Sequence, residues 1–337
     1  MRKIKKKNPV NTNVTNNFNG EEFVENINTD EMRSGFLVTS QRKKLWNVQI
    51  GLINEFARIC EKHNIKWFAY GGTLLGAVRH GGFIPWDDDV DLIMLRPDYE
   101  KFKQVAKEEI KEPYSLDAWY DYRDEDDNKN LPEESNLPLL TAKDEHKYCG
   151  YWPFCPWLKI RDNRTTMIEI QYRKNVNQGI WIDIFPLDPA PPFFNNKQVV
   201  IYQISRLLVI ASIFPKGLQN IDVEKDFPGV DFNLIKNFLN LTYRQKGSFV
   251  EEFLNKNFFD SPNVRHITMD NRIYQTKDFK NLAYVPFEKI KIPIPVNYDE
   301  ILKVDYGDWK KLIISYGHMK DCSVDIPYTE YFQKSIL

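Results

Sequence analysis

The chain has 337 residues, of which 46 are basic and 47 acidic, so its formal net charge is −1. A protein that coats nucleic acid carries a surplus of cations to neutralise phosphates, and this balance predicts no nucleic-acid partner. Hydrophobic residues make up 42% and charged residues 28%, which excludes collagen-like and disordered classes. The composition therefore indicates a soluble enzyme or binding domain, with a high aromatic share of 14% that needs an explanation of its own.

The polar N-terminal segment and the most apolar segment of the sequence both bear on where the protein is located. Residues 1–34 are rich in Lys and then Asn, which predicts a poorly ordered tail that is either simply solvated or in contact with anionic lipid or an acidic polymer. The basic residues at 2–7 are not followed by the apolar segment of a signal peptide. The most apolar stretch, residues 199–214, is interrupted by Gln203 and Arg206 and is too short to span a bilayer. We therefore expect a cytoplasmic protein, with peripheral membrane contact at the inner face as an option.

The elements expected after the tail alternate between helices and strands in the N-terminal half of the chain. Apolar residues recur at three-to-four spacing in the helices and form short continuous runs in the strands. In chain order they are a helix from Thr39 or Ser40 to His63, a strand from Ile65 to Tyr70, a helix from Thr73 to His80, a strand from Val90 to Leu95 and a helix that begins at Pro97.

The C-terminal half adds further strands and a helical region. The expected elements are an acidic loop at 121–135, strands at Trp157 to Arg161 and Ile180 to Phe185, the second closed by the prolines of 186–192, helices at 197–213 and 232–256, and a strand from Lys289 to Ile294. This order predicts an α/β (α+β) fold with a mixed sheet and flanking helices. We expect one catalytic domain over residues 35–337, with a helical elaboration at about 193–260.

The stretch AYGGTLLGAVRHGGFIPWDDDVDLIML, residues 69–95, is the most informative part of the sequence. Asp89 and Asp91 lie two apart at the start of an apolar strand, so we expect their carboxylates on the same face. Such a pair repels unless a divalent cation lies between the carboxylates, and Mg²⁺ is usually bound by one or two carboxylates together with substrate phosphates. The alternative is an acidic turn satisfied by backbone donors and solvent.

Gly71, Gly72 and Thr73 are expected at the junction of a strand and a helix. The unpaired N–H groups and the dipole of a helix start favour an anion, and glycines let a phosphate approach the main chain. This places a predicted phosphate cradle beside the acid pair. Arg79 follows the cradle and is expected either to contact the same phosphates or to form a surface ion pair.

Asp183 is a lone acid in the otherwise apolar strand IWIDIF. A buried charge without a partner is costly, so it needs a metal, a basic partner or a cleft. We favour the metal site, of which Asp183 would be the third carboxylate, over a structural pairing. Lys159 occupies a comparable position in WLKIRD and is a weaker candidate for a phosphate contact.

GGTLLGAVRHGGFIPWDDDVD resembles the LicD family of phosphocholine transferases and, more distantly, the fukutin-related sugar-phosphate transferases. The preceding residues 35–70, the stretch IDIFPLD at 182–188 and the stretch YGDW at 306–309 are also similar to this family. The resemblance implies a nucleotidyltransferase fold in which Asp89 and Asp91 hold Mg²⁺, or Mn²⁺ in its place, and Asp183 is the third acid. It also matches Gly71, Gly72 and Thr73 to the family's phosphate turn.

The implied reaction moves phosphocholine from CDP-choline to a hydroxyl of a cell-surface glycan, a teichoic acid or a lipopolysaccharide, and releases CMP. The acceptor could be lipid-linked. Aromatic faces bind a quaternary ammonium, which gives the many aromatic residues a candidate role. Each of them is more often part of a core, and the candidates are Trp86, Tyr151, Trp152, Trp157 and Trp181.

Three alternatives remain open at this stage. The same site could transfer another group, such as ribitol phosphate or a nucleotide. A sugar-nucleotide glycosyltransferase also uses a DxD metal pair, although it does not require the upstream Gly-Gly turn. A glycan- or choline-binding module without chemistry is the third, and the three acids argue against it.

Overall fold

The structure, a computed structural model, describes residues 22–118, 157–168, 177–190, 232–241, 243–256, 260–266, 272–314 and 319–334. The helices of these residues are α1 (Ser40–Lys62), α2 (Gly71–Arg79), α3 (Arg96–Glu109), α4 (Phe232–Leu239), α5 (Tyr243–Lys256), α6 (Tyr298–Tyr306) and α7 (Tyr328–Lys334). The strands are β1 (Glu31–Arg33), β2 (Phe36–Val38), β3 (Phe68–Ala69), β4 (Asp91–Leu95), β5 (Tyr114–Ala118), β6 (Leu158–Asp162), β7 (Thr166–Met167), β8 (Ile180–Ala190), β9 (Asn263–Arg265), β10 (Tyr274–Gln275), β11 (Leu282–Phe287), β12 (Ile290–Pro295) and β13 (Cys322–Ser323).

A mixed sheet organises the described residues, which confirms the predicted α+β class. Seven strands form it: β10, β9, β8, β4 and β3 follow one another, and β6 joins β8 to β5. Strands β4 and β8 are parallel, whereas β6 and β9 run antiparallel to β8. Strand β8 is thus the shared neighbour of three strands, and its residues are almost all buried.

Helix α1 packs its apolar face on this sheet, as its residue spacing predicts. Its N-terminus is capped by Thr39, whose Oγ1 accepts a hydrogen bond of 3.3 Å from the N–H of Arg42. The apolar side chains of Leu45, Phe56 and Ile59 are fully buried. The helix is therefore held by its cap and by one continuous apolar face, and its polar residues near the N-terminus remain available to the site.

Strand β8 corrects the expectation that prolines end it after Phe185. The strand continues through Pro186 and Pro189 to Ala190. Proline has an extended-compatible φ but no N–H, so it is tolerated where the pairing of a strand changes. After Leu187 the strand leaves its parallel neighbour β4 and pairs with β9 from Asp188 onward.

Other boundaries differ in smaller ways. Strand β3 is shorter than predicted, and α2 begins at Gly71 rather than at Thr73. The single helix expected at 232–256 is two helices, because turns of the i to i+3 type end α4, with Leu241 N–H donating to Phe238 C=O at 3.1 Å. Residues Glu31–Arg33, assigned to the tail, form β1, which pairs with Phe36–Val38.

Some expectations concern residues outside the described ranges. These are the acidic loop at 121–135, the helix at 197–213 together with the apolar stretch at 199–214, and the aromatic candidates Tyr151 and Trp152. Within the described ranges, none of the helices has the length and apolar character needed to cross a membrane.

Candidate active site

The first residue of β4 lies at the centre of the candidate site. Asp91 pairs in register with Asp183 on the parallel strand β8, and Asp183 pairs in turn with Lys159 on β6. The N–H of Asp183 donates to the carbonyl of Val90 at 2.9 Å, which fixes the two strand starts against each other. The topology therefore brings residues separated by about 90 positions in the sequence to one level of the sheet.

The turn Asp87–Asp89 precedes β4 and is held by three side chains of α1. Arg42 Nη1 and Trp46 Nε1 donate to the carbonyl of Asp87 at 2.7 and 2.9 Å, and Gln49 Nε2 donates to the carbonyl of Asp88 at 2.9 Å. Residues three and four apart share one helix face, which explains why these three donors converge. Helix α1 thus fixes the backbone of the acidic turn and leaves its carboxylates to other partners.

One carboxylate oxygen from each of Asp87, Asp88 and Asp89 lies within 4.8 Å of the other two. Asp89 precedes the strand rather than beginning it, and its side chain is 38% exposed. Asp89 therefore lies in a turn with Asp87 and Asp88, whereas Asp91 is the first residue of the strand, and the metal pair of Asp89 and Asp91 stays a prediction. All donors of this set are carboxylate oxygens, the ligands that suit a hard divalent cation.

Two of the clustered acids, Asp91 and Asp87, have raised pKa values. Burial raises the pKa of Asp91 well above its ordinary value, and the charges of Asp89, Asp183 and Asp87 raise it further. Burial also raises the pKa of Asp87, with repulsion from Asp89 and Asp88 as additional causes. A bound cation would relieve this repulsion, because it favours the ionised form of every carboxylate around it.

The glycines of α2 make room for these carboxylates. Gly71 has φ +51°, and a Cβ there would lie 3.0 Å from Oδ2 of Asp91. A Cβ on Gly72 would lie only 2.4 Å from Oδ2 of Asp87, which no real side chain tolerates without a shift. Thr73 Oγ1 accepts a 2.9 Å hydrogen bond from the N–H of Asp91. The N-terminus of α2 therefore packs directly against the acids, and its phosphate-binding role stays a prediction.

Asp183 is surrounded by donors. Its Oδ1 lies 2.9 Å from Lys159 Nζ and accepts a 2.6 Å hydrogen bond from Trp157 Nε1, and its Oδ2 accepts one of 2.8 Å from Trp181 Nε1. Lys159 Nζ also lies 4.5 Å from the centre of the Trp181 ring. The structural pairing that the sequence left as an alternative is thus present. An ionised carboxylate has about four lone-pair sites, so three donors still leave room for a further ligand.

Two predicted ligand-binding side chains have other contacts. Arg79 donates from Nε to His80 at 3.0 Å and from Nη1 to the carbonyl of Trp309 at 3.3 Å. The ring of Trp86 lies edge-on to those of Phe36 and His80, with centroids 6.0 and 6.2 Å apart. Arg79 therefore joins α2 to the residues that follow α6. Contact of Arg79 or Trp86 with a bound substrate stays a prediction.

Lys320 is a residue of the site that no sequence pattern identifies. Its N–H donates to Asp88 Oδ2 at 2.7 Å, and its Nζ lies 3.1 Å from Asp88 Oδ1 and 3.8 Å from Asp89 Oδ2. Burial lowers the pKa of Lys320, but Asp89 and Asp88 outweigh it and the net shift is upward. No local motif marks this lysine, because the contact joins residues 232 positions apart.

A mixed sheet with a Gly-Gly helix start against clustered aspartates is the arrangement expected of a nucleotidyltransferase domain. Residues 64–192 match the family described as LicD/FKTN/FKRP, nucleotidyltransferase domain. The resemblance to this family that the motif of residues 71–91 indicates is therefore confirmed over this segment.

Two curated relatives extend this comparison. The chain is 27% identical over 276 residues to a protein of Haemophilus influenzae named lipopolysaccharide cholinephosphotransferase LicD, which covers 79% of this chain and 89% of that protein. It is 41% identical over 100 residues to mouse ribitol 5-phosphate transferase FKRP, a match that covers 29% of this chain and 18% of that protein. The first similarity spans most of both chains, whereas the second is confined to a segment.

Proposed function

We propose that this enzyme transfers phosphocholine from CDP-choline, or from a related nucleotide-activated donor, to a hydroxyl of a cell-surface glycan and releases CMP. The observation that carries the proposal is the gathering of Asp87, Asp89 and Asp91 at the N-terminus of α2 within the segment that matches the LicD family. The similarity to the lipopolysaccharide cholinephosphotransferase, which extends over most of both chains, favours phosphocholine as the transferred group.

The metal that this proposal requires is Mg²⁺, with Mn²⁺ as a substitute. The residues that would hold this metal are Asp87, Asp89 and Asp91. Asp183 is the further candidate acid, on the neighbouring strand. When bound, Mg²⁺ would neutralise the diphosphate of the donor and stabilise the negative charge of the departing CMP.

In the proposed reaction the acceptor oxygen attacks the phosphorus of the phosphocholine group. A new bond forms between that oxygen and phosphorus, the bond from phosphorus to the bridging oxygen breaks, and CMP keeps the electron pair. The acceptor loses its proton to a base. Asp183 is our candidate for that base or for a metal ligand, because it faces Asp91 across the strand pair.

The first residues of α2 would contribute backbone donors to the donor phosphates. Their N–H groups lie at a helix start, where the dipole favours negative charge. Because Gly72 has no side chain, a phosphate oxygen could approach its backbone on the side where Asp87 Oδ2 lies. Most of the catalytic demand in such transfers is positioning and charge stabilisation, which these groups supply.

A second candidate keeps the site and changes the transferred group. The similarity to the ribitol 5-phosphate transferase favours a sugar-alcohol phosphate carried by CDP. A sugar-nucleotide glycosyltransferase is less favoured, because a DxD pair in that class needs no Gly-Gly helix start packed against it.

The decisive experiment offers CDP-choline, CDP-ribitol and UDP-sugars, each with Mg²⁺ and with lipopolysaccharide or teichoic acid as acceptor, and measures the nucleotide released. We expect CMP from CDP-choline. Asp89→Ala and Asp91→Ala should each abolish turnover, whereas Glu108→Ala on the exposed face of α3 should retain it. Release of UDP without CMP, or full activity of both aspartate variants, would overturn the proposal.

A further inference from the structure

Lys320 places a positive charge among the acids of the site. Its Nζ lies 3.1 Å from Asp88 Oδ1 and 3.8 Å from Asp89 Oδ2, and it is 5.6 Å from the centre of the Trp181 ring. Trp181 donates to Asp183, so this ammonium is adjacent both to the acidic turn and to the indole that holds the third acid. Its side chain is 25% exposed.

The backbone at Lys320 is anchored, so any displacement of its ammonium would come from the side chain. Its N–H is bound by Asp88 at 2.7 Å, and two residues later β13 pairs with β7 through Cys322 and Met167. Helix α1 adds a further contact, since Gln41 Nε2 donates to the carbonyl of Cys322 at 3.5 Å. The long, flexible stem of a lysine allows its ammonium to move by several ångströms on a fixed backbone.

The ammonium and a divalent cation would compete for the same carboxylates. One oxygen from each of Asp87, Asp88 and Asp89 lies within 4.8 Å of the other two, and Lys320 contacts two of these three residues. Two cations bound to the same group of carboxylates repel each other strongly in a partly buried site. With Asp87 and Asp89 engaged by a metal, the Lys320 ammonium would lose its pairing with Asp89 while its backbone stays bound to Asp88, and it would be free to pair with the negatively charged diphosphate of the donor.

We propose that Lys320 is the counter-ion of the acidic turn before the donor binds and becomes a ligand of the donor's diphosphate when a divalent cation occupies the turn. This inference rests on the metal-dependent donor binding proposed above. It assigns a donor-binding role to a residue outside the segment that matches the family. It also explains how a cluster of adjacent carboxylates remains compatible with a folded protein when no metal is bound.

The test compares Lys320→Met with wild type in two binding measurements. Mn²⁺ affinity without donor is measured by electron paramagnetic resonance, and CDP affinity at saturating Mn²⁺ is measured by calorimetry. We expect Lys320→Met to bind Mn²⁺ at least about tenfold more tightly, because its competing charge is gone, and to bind CDP at least about tenfold more weakly. Lys320→Arg keeps the charge and should stay near wild type in both.

Lys310 provides a matched control. Its Nζ lies 3.7 Å from Asp299 and its side chain is 62% exposed, so Lys310→Met removes an exposed, paired lysine away from the turn. We expect wild-type affinities for Mn²⁺ and CDP. If Lys320→Met does not fold, Lys320→Gln is compared in the same way, with thermal unfolding at increasing Mn²⁺ as a further readout of metal affinity.

The possible results separate this inference from the proposed function. Unchanged or weaker Mn²⁺ binding by Lys320→Met, or unchanged CDP binding, would overturn the role of Lys320. If wild type binds Mn²⁺ and Asp89→Ala does not, the metal site stands whatever Lys320 does. If wild type binds neither Mn²⁺ nor CDP, both proposals fail together.

Discussion

Asp91 and Asp183 are direct neighbours in the register of the parallel strands β4 and β8, yet their carboxylates have opposite surroundings. Asp183 is contacted by the ammonium of Lys159 and by two indole N–H groups. Asp91 is instead partly buried beside other acids, and the loss of solvent and then the charges of these acids raise its pKa. One acid of the pair is thus stabilised by the protein itself, whereas the other gains most from an added cation.

Asp91→Asn should stabilise the metal-free protein at high pH. The folded state raises the pKa of Asp91, so its contribution to stability is present below the unfolded pKa of about 3.9 and is lost as pH rises through the folded pKa. Asparagine does not ionise. With EDTA at pH 8 we expect the melting temperature to rise by about 2–4 °C, or roughly 1–2 kcal/mol, and the difference to shrink toward pH 4.

Scanning fluorimetry across this pH range checks the prediction. Glu108→Gln, at an exposed site on α3, should show no pH-dependent difference from wild type. Added Mg²⁺ should raise the melting temperature of wild type and leave Asp91→Asn nearly unchanged. A variant less stable than wild type at pH 8 would show that Asp91 is not strained.

Asp183 and Lys159 should behave as a coupled buried pair. Both residues are less than a tenth exposed, at 8% and 4%. Removing one member of such a pair costs about 3–5 kcal/mol, since the other charge remains in the interior. We expect Asp183→Asn and Lys159→Met each to lower the free energy of unfolding in urea. The double variant should lose clearly less than the sum of the two single losses. Additive losses of unfolding free energy would mean that the two side chains do not stabilise each other.

Gly72→Ala should impair metal binding more than stability. The added methyl group would lie 2.4 Å from Oδ2 of Asp87, a side-chain atom that can turn away at the expense of the acid cluster. We expect a melting temperature close to that of wild type, helped by the better helix propensity of alanine, and Mn²⁺ affinity reduced at least about tenfold.

Gly76→Ala is the comparison on the same helix. Its methyl group would lie 2.5 Å from the carbonyl oxygen of Gly82, which is backbone and cannot turn aside. We expect a loss of about 1–3 kcal/mol in stability. Equal losses of stability in Gly72→Ala and Gly76→Ala would argue that the space beside Gly72 serves only packing.

Asp188 should prove structural although it belongs to the IDIFPLD stretch. Its two oxygens each lie 2.7 Å from a nitrogen of Arg96, and both side chains are buried. Asp188→Asn should therefore cost about 3–5 kcal/mol in urea unfolding. The half-buried partner Glu100, 3.0 Å from Arg96 on the same helix, is the control, and Glu100→Gln should cost about 0.5 kcal/mol. A neutral Asp188→Asn would contradict this assignment.

The helices and the short apolar strands were predictable because their signals are local. The cap at Thr39 and the spacing of apolar residues in α1 determine that helix without reference to the rest of the chain. The end of β8 was not predictable in this way. Prolines usually close a strand, but here the neighbouring strands change at Asp188, and that exchange depends on β9, more than 70 residues further on.

The candidate site divides in the same manner. The sequence by itself determined the Gly-Gly turn, the run of aspartates and the lone Asp183, because their residue types and spacing already restrict the chemistry. Only the tertiary structure decided which carboxylates are stabilised and which are strained, since that depends on Lys159, Trp157 and Lys320. Electrostatic and hydrogen-bond energies are set by distance and burial, and chain folding brings these partners within 4 Å from positions that the local sequence does not connect.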